Sequence, residues 1–329
     1  MCTALVISTK ENHHFFGRNM DLPYSFNQSP IYIPENYKYL NRVSKEIIST
    51  KKRIIGMGTV IDDYPAMAEA MNESGLACAG LNFEGYAYAE SVSVKGKQNI
   101  APYEFILWVL SIHSNVDEVI IDLPNIELVN VPIVENLPIP TLHWMITDKS
   151  GKSIVVEKTR DKFVYYDNPV GVLTNNPTFD WHLTNLNEYI NLTAFQPSPV
   201  IWTDKKLDSL GIGAGTIGMP GDFASVSRFI RIAYLRAHLP EIANESQAIS
   251  QFFHMLDYVG MIKGGVVTGN NEYDLTLYSS CMDLEKGIYY YKNHENNRIN
   301  AINMYKEPMN GEELHVFPYL QNQDFNYQN

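Results

Sequence analysis

The sequence predicts an α+β fold in which two antiparallel sheets pack on one another with helices outside. Three observations carry this reading. Most apolar runs come in pairs joined by short turn signals, as hairpins do. The helical segments come as consecutive pairs and do not alternate with strands, which excludes a parallel doubly wound sheet. The 329 residues contain no Gly/Ser tract, Pro-rich linker or long like-charge block, so 1–329 reads as one domain.

Taken in order, Ala4-Leu5-Val6-Ile7 is a buried strand. Residues 10–13 form a turn, and 14–21 return as its hairpin partner, which brings Arg18 and Asp21 beside the first strand. Three positions apart, those two point to opposite faces of a regular strand. Both serve one neighbouring group only if the chain bends or bulges between them. Residues 22–51 read as loop with short extended pieces, 53–60 as a strand, and 66–71 with 76–82 as a hairpin. Helices follow at 102–111 and 116–123, the second with Ser114 and Asp117 close to a capping box. Pro124, Pro132, Pro138 and Pro140 exclude a helix or central strand from 124–141. That stretch is a stiffened apolar loop, suited either to line a pocket or simply to connect. A hairpin spans 142–147 and 153–158, a strand 170–175 ends at Asn176-Pro177, and Asp180 caps a helix 181–190. Residues 191–222 read as Gly- and Pro-rich loop. Helices at 226–239 and 247–259 and strands at 275–281, 288–292 and 299–304 close the chain.

Composition bounds the function. Hydrophobic residues make up 45% and aromatics 12%, enough for a large core and an aromatic-rich pocket. A formal charge of −12 argues against nucleic acid as a partner; an anionic substrate would need a locally positive site. No apolar stretch approaches the roughly 18–20 residues of a membrane span, and the N-terminus lacks a basic flank, so no membrane insertion and a cytoplasmic location are expected. Cys2, Cys78 and Cys281 are odd in number and widely spaced, which fits a reducing compartment without disulfides. The nine His form no metal-ligand spacing, and neither metal nor cofactor is expected. Gly213-Ala214-Gly215-Thr216-Ile217-Gly218 matches a nucleotide-binding pattern, but no apolar strand precedes it and no helix follows directly.

The chemistry centres on the second residue. With Met1 removed, Cys2 carries a thiol and an α-amine on one residue, so that nucleophile and base come together. The strand that follows holds this end in place. Arg228 is the second signal: it lies in the first turn of a helix opened by Ser225 or Ser227, where the helix dipole disfavours a cation by about 0.3–1 kcal/mol. A cation kept there needs a partner, a carboxylate or an anionic ligand.

Met1-Cys2-Thr3, Gly17-Arg18-Asn19-Met20-Asp21, Ala79-Gly80-Leu81-Asn82-Phe83, Leu173-Thr174-Asn175-Asn176-Pro177 and Ser227-Arg228-Phe229 occur in this order, with Glu295-Asn296-Asn297-Arg298-Ile299-Asn300-Ala301 near the end. Together they resemble the choloylglycine hydrolase family of N-terminal nucleophile hydrolases, which includes bile salt hydrolases and penicillin V acylases. The resemblance implies a four-layer αββα sandwich and a cysteine amidase. Cys2 would attack the amide carbonyl and its α-amine would shuttle the proton, held by Asp21. Arg18 would stand by the sulfur, and the Asn175 side chain with the Asn82 backbone N–H would form the oxyanion hole. Arg228 would complete the charged cluster, and Met20 and Ile133 would line a steroid pocket. The implied partners are glycine- or taurine-conjugated bile salts, in a bacterial homotetramer assembled through 191–219. Penicillin V is the alternative substrate; a non-catalytic binder of hydrophobic anions is the alternative of another class.

Overall fold

The N-terminal apolar run forms β1 (Cys2–Ser8), and the chain returns as β2 (His14–Leu22). Almost every residue of both strands is buried, the pattern of strands covered on both faces. The computed structural model describes residues 1–329. After β2 come β3 (Ser29–Ile33), the small hairpin β4 (Lys38–Leu40) and β5 (Ile47–Ser49), then β6 (Ile54–Ile61), β7 (Tyr64–Asn72) and β8 (Ala77–Asn82). Next are β9 (Gln98–Ile100), α1 (Phe105–Ile112), α2 (Val116–Asp122) and β10 (Ile126–Leu128), which pairs with β9 in parallel. β11 (Leu142–Thr147), β12 (Ser153–Lys158), β13 (Phe163–Asp167) and the two-residue β14 (Val172–Leu173) lead to α3 (Phe179–Asn185). A short hairpin of β15 (Val200–Trp202) and β16 (Lys205–Leu207) precedes α4 (Ser225–Ala237) and α5 (Glu245–Tyr258). The chain ends with β17 (Val266–Val267), β18 (Tyr273–Asp283), β19 (Ile288–Asn293), β20 (Asn300–Asn303) and β21 (His315–Val316).

These strands make two large sheets. The first has the order β14-β1-β2-β18-β19-β20, with β17 on β18; the second runs β13-β12-β11-β8-β7-β6-β3-β21. All the pairings within both are antiparallel. One apolar cluster joins Ala4, Val6 and Phe16 of the first sheet to Met57, Ala79, Leu81, Met145 and Val155 of the second. It continues through the first sheet to Phe229, Phe252 and Leu256 of α4 and α5. A separate cluster packs Ile54, Ala70, Cys78, Trp144 and Ile146 against α1 and α2. The layers are therefore helix, sheet, sheet, helix: the expected αββα sandwich, with β1 inside it.

Several elements differ from the sequence reading. The cap of α2 is Asn115, one residue later than expected, whose side chain accepts the Glu118 N–H; Glu118 in turn accepts the N–H of Ser114, the residue before the cap, at 2.6 Å, so the reciprocal capping box is not formed. α3 begins at Phe179 behind Thr178, so Asp180 lies in its first turn and does not cap it. Residues 191–222 contain a hairpin, and β13, a half-exposed strand at the edge of the second sheet, adds a strand that the sequence reading lacks. Of the strand expected at 170–175, only Val172 and Leu173 pair with β1. The bend or bulge expected between Arg18 and Asp21 is absent from the β1–β2 ladder, which stays in register from Cys2 opposite Met20 to Ser8 opposite His14; the register shift nearby lies in β18, between Thr276 and Tyr278, opposite Asp21 and Met20.

Candidate active site

β1 and β2 are in register from Cys2 opposite Met20 to Ser8 opposite His14. Residues directly opposite share a face, so Cys2, Ala4, Arg18 and Met20 face one way and Thr3, Asn19 and Asp21 the other. The first face looks into the space between the sheets: Arg18 Nη1 donates to Gly80 O of the second sheet at 2.5 Å. The second face looks toward the helices, where Asn19 Nδ2 donates to Leu256 O of α5 at 2.8 Å. This resolves the spacing of Arg18 and Asp21. The Cys2 side chain belongs to the inner face, while its backbone nitrogen lies at the strand end, where it donates to Asn175 Oδ1.

Arg228 closes the helix side. Its Nη1 donates to Cys2 O and to Thr3 Oγ1 (2.6 Å), Nη2 to Asn175 Oδ1 (2.7 Å) and Nε to Phe223 O (3.0 Å). In place of the expected carboxylate or anionic ligand, its hydrogen bonds go to neutral oxygens around the head of β1. Burial pulls the guanidinium below its ordinary pKa, against the charge of nearby Asp21. The helix start itself is held by Asp222, which accepts from Ala224 N (2.9 Å) and Ser227 Oγ (2.7 Å).

Asn175 spans the end of β1. Its Oδ1 receives the Cys2 N–H at 2.9 Å and the Arg228 Nη2 bond; its Nδ2 donates to Asn82 O at 2.8 Å. Two donors on one side and a carbonyl on the other fix which end of the amide is oxygen. Asn82 is available because β8 splays away from β7. β7 pairs with β8 only across Ala77 to Ala79, and Phe83 N donates to Thr141 O at 2.8 Å. Asn82 and Leu142 are therefore a non-hydrogen-bonded pair. The backbone N–H and C=O of Asn82 point away from β11, to the open edge where Gly80 O meets Arg18.

Asp21 Oδ1 accepts the Thr276 hydroxyl at 2.6 Å, and its Oδ2 is buried without a partner. Burial raises its pKa, opposed by Arg228 and the chain's ammonium group. The chain described retains Met1, whose carbonyl accepts the Asp21 N–H at 2.9 Å and whose ammonium donates to Asp21 O. The Cys2 nitrogen is accordingly a peptide N–H here. Arg18 is wholly buried; burial alone would lower its pKa, but Cys2, Tyr278, Glu69 and Asp21 together raise it. Glu69 Oε2 lies 3.9 Å from Arg18 Nε, and Glu69 also accepts from Tyr278 (2.8 Å) and Tyr289 (2.7 Å). No three or more His, Cys, Asp or Glu are grouped to hold a metal ion.

A model of the linear amide C–N hydrolases, choloylglycine hydrolase family, matches residues 2–317. The chain belongs to the choloylglycine hydrolase family. A bile salt hydrolase/transferase of Clostridium perfringens is 50% identical over the full length of both chains, and one of Lactiplantibacillus plantarum is 40% identical over 97% of each. The crystal structure of a mutant conjugated bile acid hydrolase from Clostridium perfringens superposes with a TM-score of 0.95 at 49% identity, covering 100% of both chains. A penicillin V acylase from Agrobacterium tumefaciens shares the fold, with a TM-score of 0.74 at 22% identity over 96% of this chain and 90% of its own.

In this choloylglycine hydrolase family member, Cys2, Arg18, Asp21, Asn82, Asn175 and Arg228 come together at the head of β1, with Met20 paired to Cys2. Ile133 is placed otherwise: it is buried in the cluster under α1 and α2, not in the one that holds Cys2 and Met20. Sequence reasoning missed Thr3, Glu69, Ser225 as a ligand of Asn175, Thr276, Tyr278 and Tyr289. Only Thr3, next to the nucleophile, carried a local signal. Cys78 and Cys281 are buried free thiols whose pKa burial pushes well up, so neither competes as a nucleophile.

Proposed function

We propose that, once Met1 is removed, this chain hydrolyses the amide bond of glycine- or taurine-conjugated bile salts through a thioester on Cys2. The observation that carries the reading is the convergence on one strand end of Cys2, Arg18, Asp21, Asn175 and Arg228. The printed activities of the full-length relatives supply the substrate class. Cys2 Sγ attacks the amide carbon while its proton passes to the α-amine, which Asp21 orients. The C–N bond breaks as that proton moves to the leaving glycine or taurine nitrogen. Water then attacks the thioester, gives its proton to the same amine, and frees the bile acid and the thiol. Asn175 Nδ2 has a second hydrogen beyond the one given to Asn82 O, and with the Asn82 N–H it forms the oxyanion hole, each donor worth about 2.7–4 kcal/mol. Arg18 favours the thiolate. Met20, opposite Cys2, lines the steroid side.

The chemistry calls on no cofactor. No helix is long and apolar enough to cross a membrane, and we place the enzyme in the bacterial cytoplasm as a homotetramer. Ile201, Trp202, Leu210, Ile212 and Ile217 of 191–219 are largely exposed, an apolar surface that assembly would cover. Amino acid release from glycocholate, taurocholate and penicillin V, measured in parallel, tests the assignment. Bile salt turnover that Cys2→Ala abolishes is the expected result. Turnover of penicillin V alone would assign the other substrate, and turnover by Cys2→Ala would rule out the thioester.

A further inference from the structure

β14 ends at Leu173, and the next two residues have no ladder partner on β1. Their backbone is held by side chains instead. His143 Nε2, from β11, lies 3.0 Å from Thr174 O, and His182 Nε2, from α3, lies 3.0 Å from Asn175 O. Ser225 Oγ accepts the Asn175 N–H at 2.9 Å. Two imidazoles thus grip two consecutive carbonyls on either side of the residue that spans Cys2 and Asn82.

Each imidazole is itself fixed. His143 is fully buried, stacks on Phe83 at 4.2 Å, and meets Glu157 Oε1 through Nδ1 at 3.2 Å. That carboxylate oxygen also accepts the Phe179 N–H at 2.9 Å, tying the start of α3 to the second sheet. His182 stacks on Phe229, the neighbour of Arg228, at 4.5 Å, and its Nδ1 has no partner. A nitrogen facing a carbonyl must carry a hydrogen, so Nε2 is the protonated nitrogen of His182.

We infer that His143 and His182 are positioning residues for Asn175, setting the peptide from which its side chain reaches Cys2 and Asn82. Neither imidazole bonds to Cys2, Arg18, Asp21 or Arg228. Their hydrogen bonds reach the reacting groups through Asn175. The inference rests on the amidase reading above, in which Asn175 binds the oxyanion.

The test compares His182→Phe, which keeps the stacking and loses the donor, with His182→Gln, whose amide nitrogen reaches the same carbonyl. With glycocholate, His182→Phe should lower kcat by about 10- to 100-fold with KM little changed, and His182→Gln should recover most of it. In an Asn175→Ala background, His182→Phe should cost no further kcat, because the residue it positions is gone. Parent-like kcat in folded His182→Phe, or full additivity in the double variant, would overturn the inference. If His182→Phe does not fold, His182→Asn replaces it: too short to reach Asn175 O, it should be less active than His182→Gln, and equal activities would overturn the inference. A parent that releases no glycine fails the functional assignment instead. In that event a crystal structure of His182→Phe or His182→Asn decides: the Asn175 Nδ2 to Asn82 O bond should be lost, and its survival would refute the positioning role.

Discussion

Arg228 shows how much one side chain does here through shape. Its fork reaches Cys2 O, Thr3 Oγ1, Asn175 Oδ1 and Phe223 O at once. A lysine ammonium keeps the charge and loses the fork. Arg228→Lys should therefore lower kcat at least about tenfold, since a small displacement of a catalytic group is costly. Unchanged kcat would mean that charge alone matters. Asn175→Ala, which removes a proposed oxyanion donor, should cost about 10²–10³ in kcat with the fold intact; circular dichroism and steady-state kinetics together check this.

His182 gives a prediction about pH. Burial, with the charges of His143 from β11 and Arg228 from α4, lowers its pKa from 6.5 to about 4, while its bond to Asn175 O opposes the shift. The unfolded chain takes up the proton near 6.5 and the folded one only near 4, so in this window the unfolded state binds more protons. Stability present above pH 6.5 is then lost as pH falls toward 4. The loss is on the order of 3 kcal/mol. His182→Gln, which does not titrate, should show a flatter fall of denaturant midpoint with acid over that window. An identical pH dependence would remove His182 as its cause.

At the scale of elements, the site depends on strand ends that stop pairing early. β7 leaves β8 after Ala79, and β14 stops at Leu173; the freed backbone of Gly80, Asn82, Thr174 and Asn175 is what the site uses. β1 and β2 were legible because an apolar run, a turn and a second run are local signals. Arg18 and Asp21 came with them, and Arg228 stood out against its own helix dipole. The partners of these residues were not legible. Glu69 meets Tyr278 and Tyr289 from more than 200 positions away, and Thr276 reaches Asp21 from another strand. Such pairs exist only once the sheets have packed, and no spacing announces them. Phe16, fully buried in the apolar cluster that joins the two sheets, supports the whole strand pair. Phe16→Ala should cost about 3–5 kcal/mol of stability, read from the denaturation midpoint; a change under about 1 kcal/mol would show that β1 does not depend on that core.

At the scale of the molecule, the αββα order puts the two reacting atoms of Cys2 between layers. The inter-sheet space supplies Arg18 and the open edge of β8, and the helix layer supplies Arg228. An acidic chain of formal charge −12 thereby holds two buried guanidinium groups where an anionic amide substrate is proposed to react. The exposed apolar residues of 191–219 belong to the same scale. Trp202→Asp with Ile212→Asp should turn a tetramer into smaller species in light scattering, and a parent that is already monomeric would contradict the assembly.

The most direct measurement of the central claim is intact mass and N-terminal peptide mass of enzyme quenched during glycocholate turnover. The account predicts a chain that begins at Cys2 and a fraction carrying one cholate acyl group, with loss of water, on that residue. Full activity from a chain that retains Met1, or an acyl group on any other residue, would contradict it.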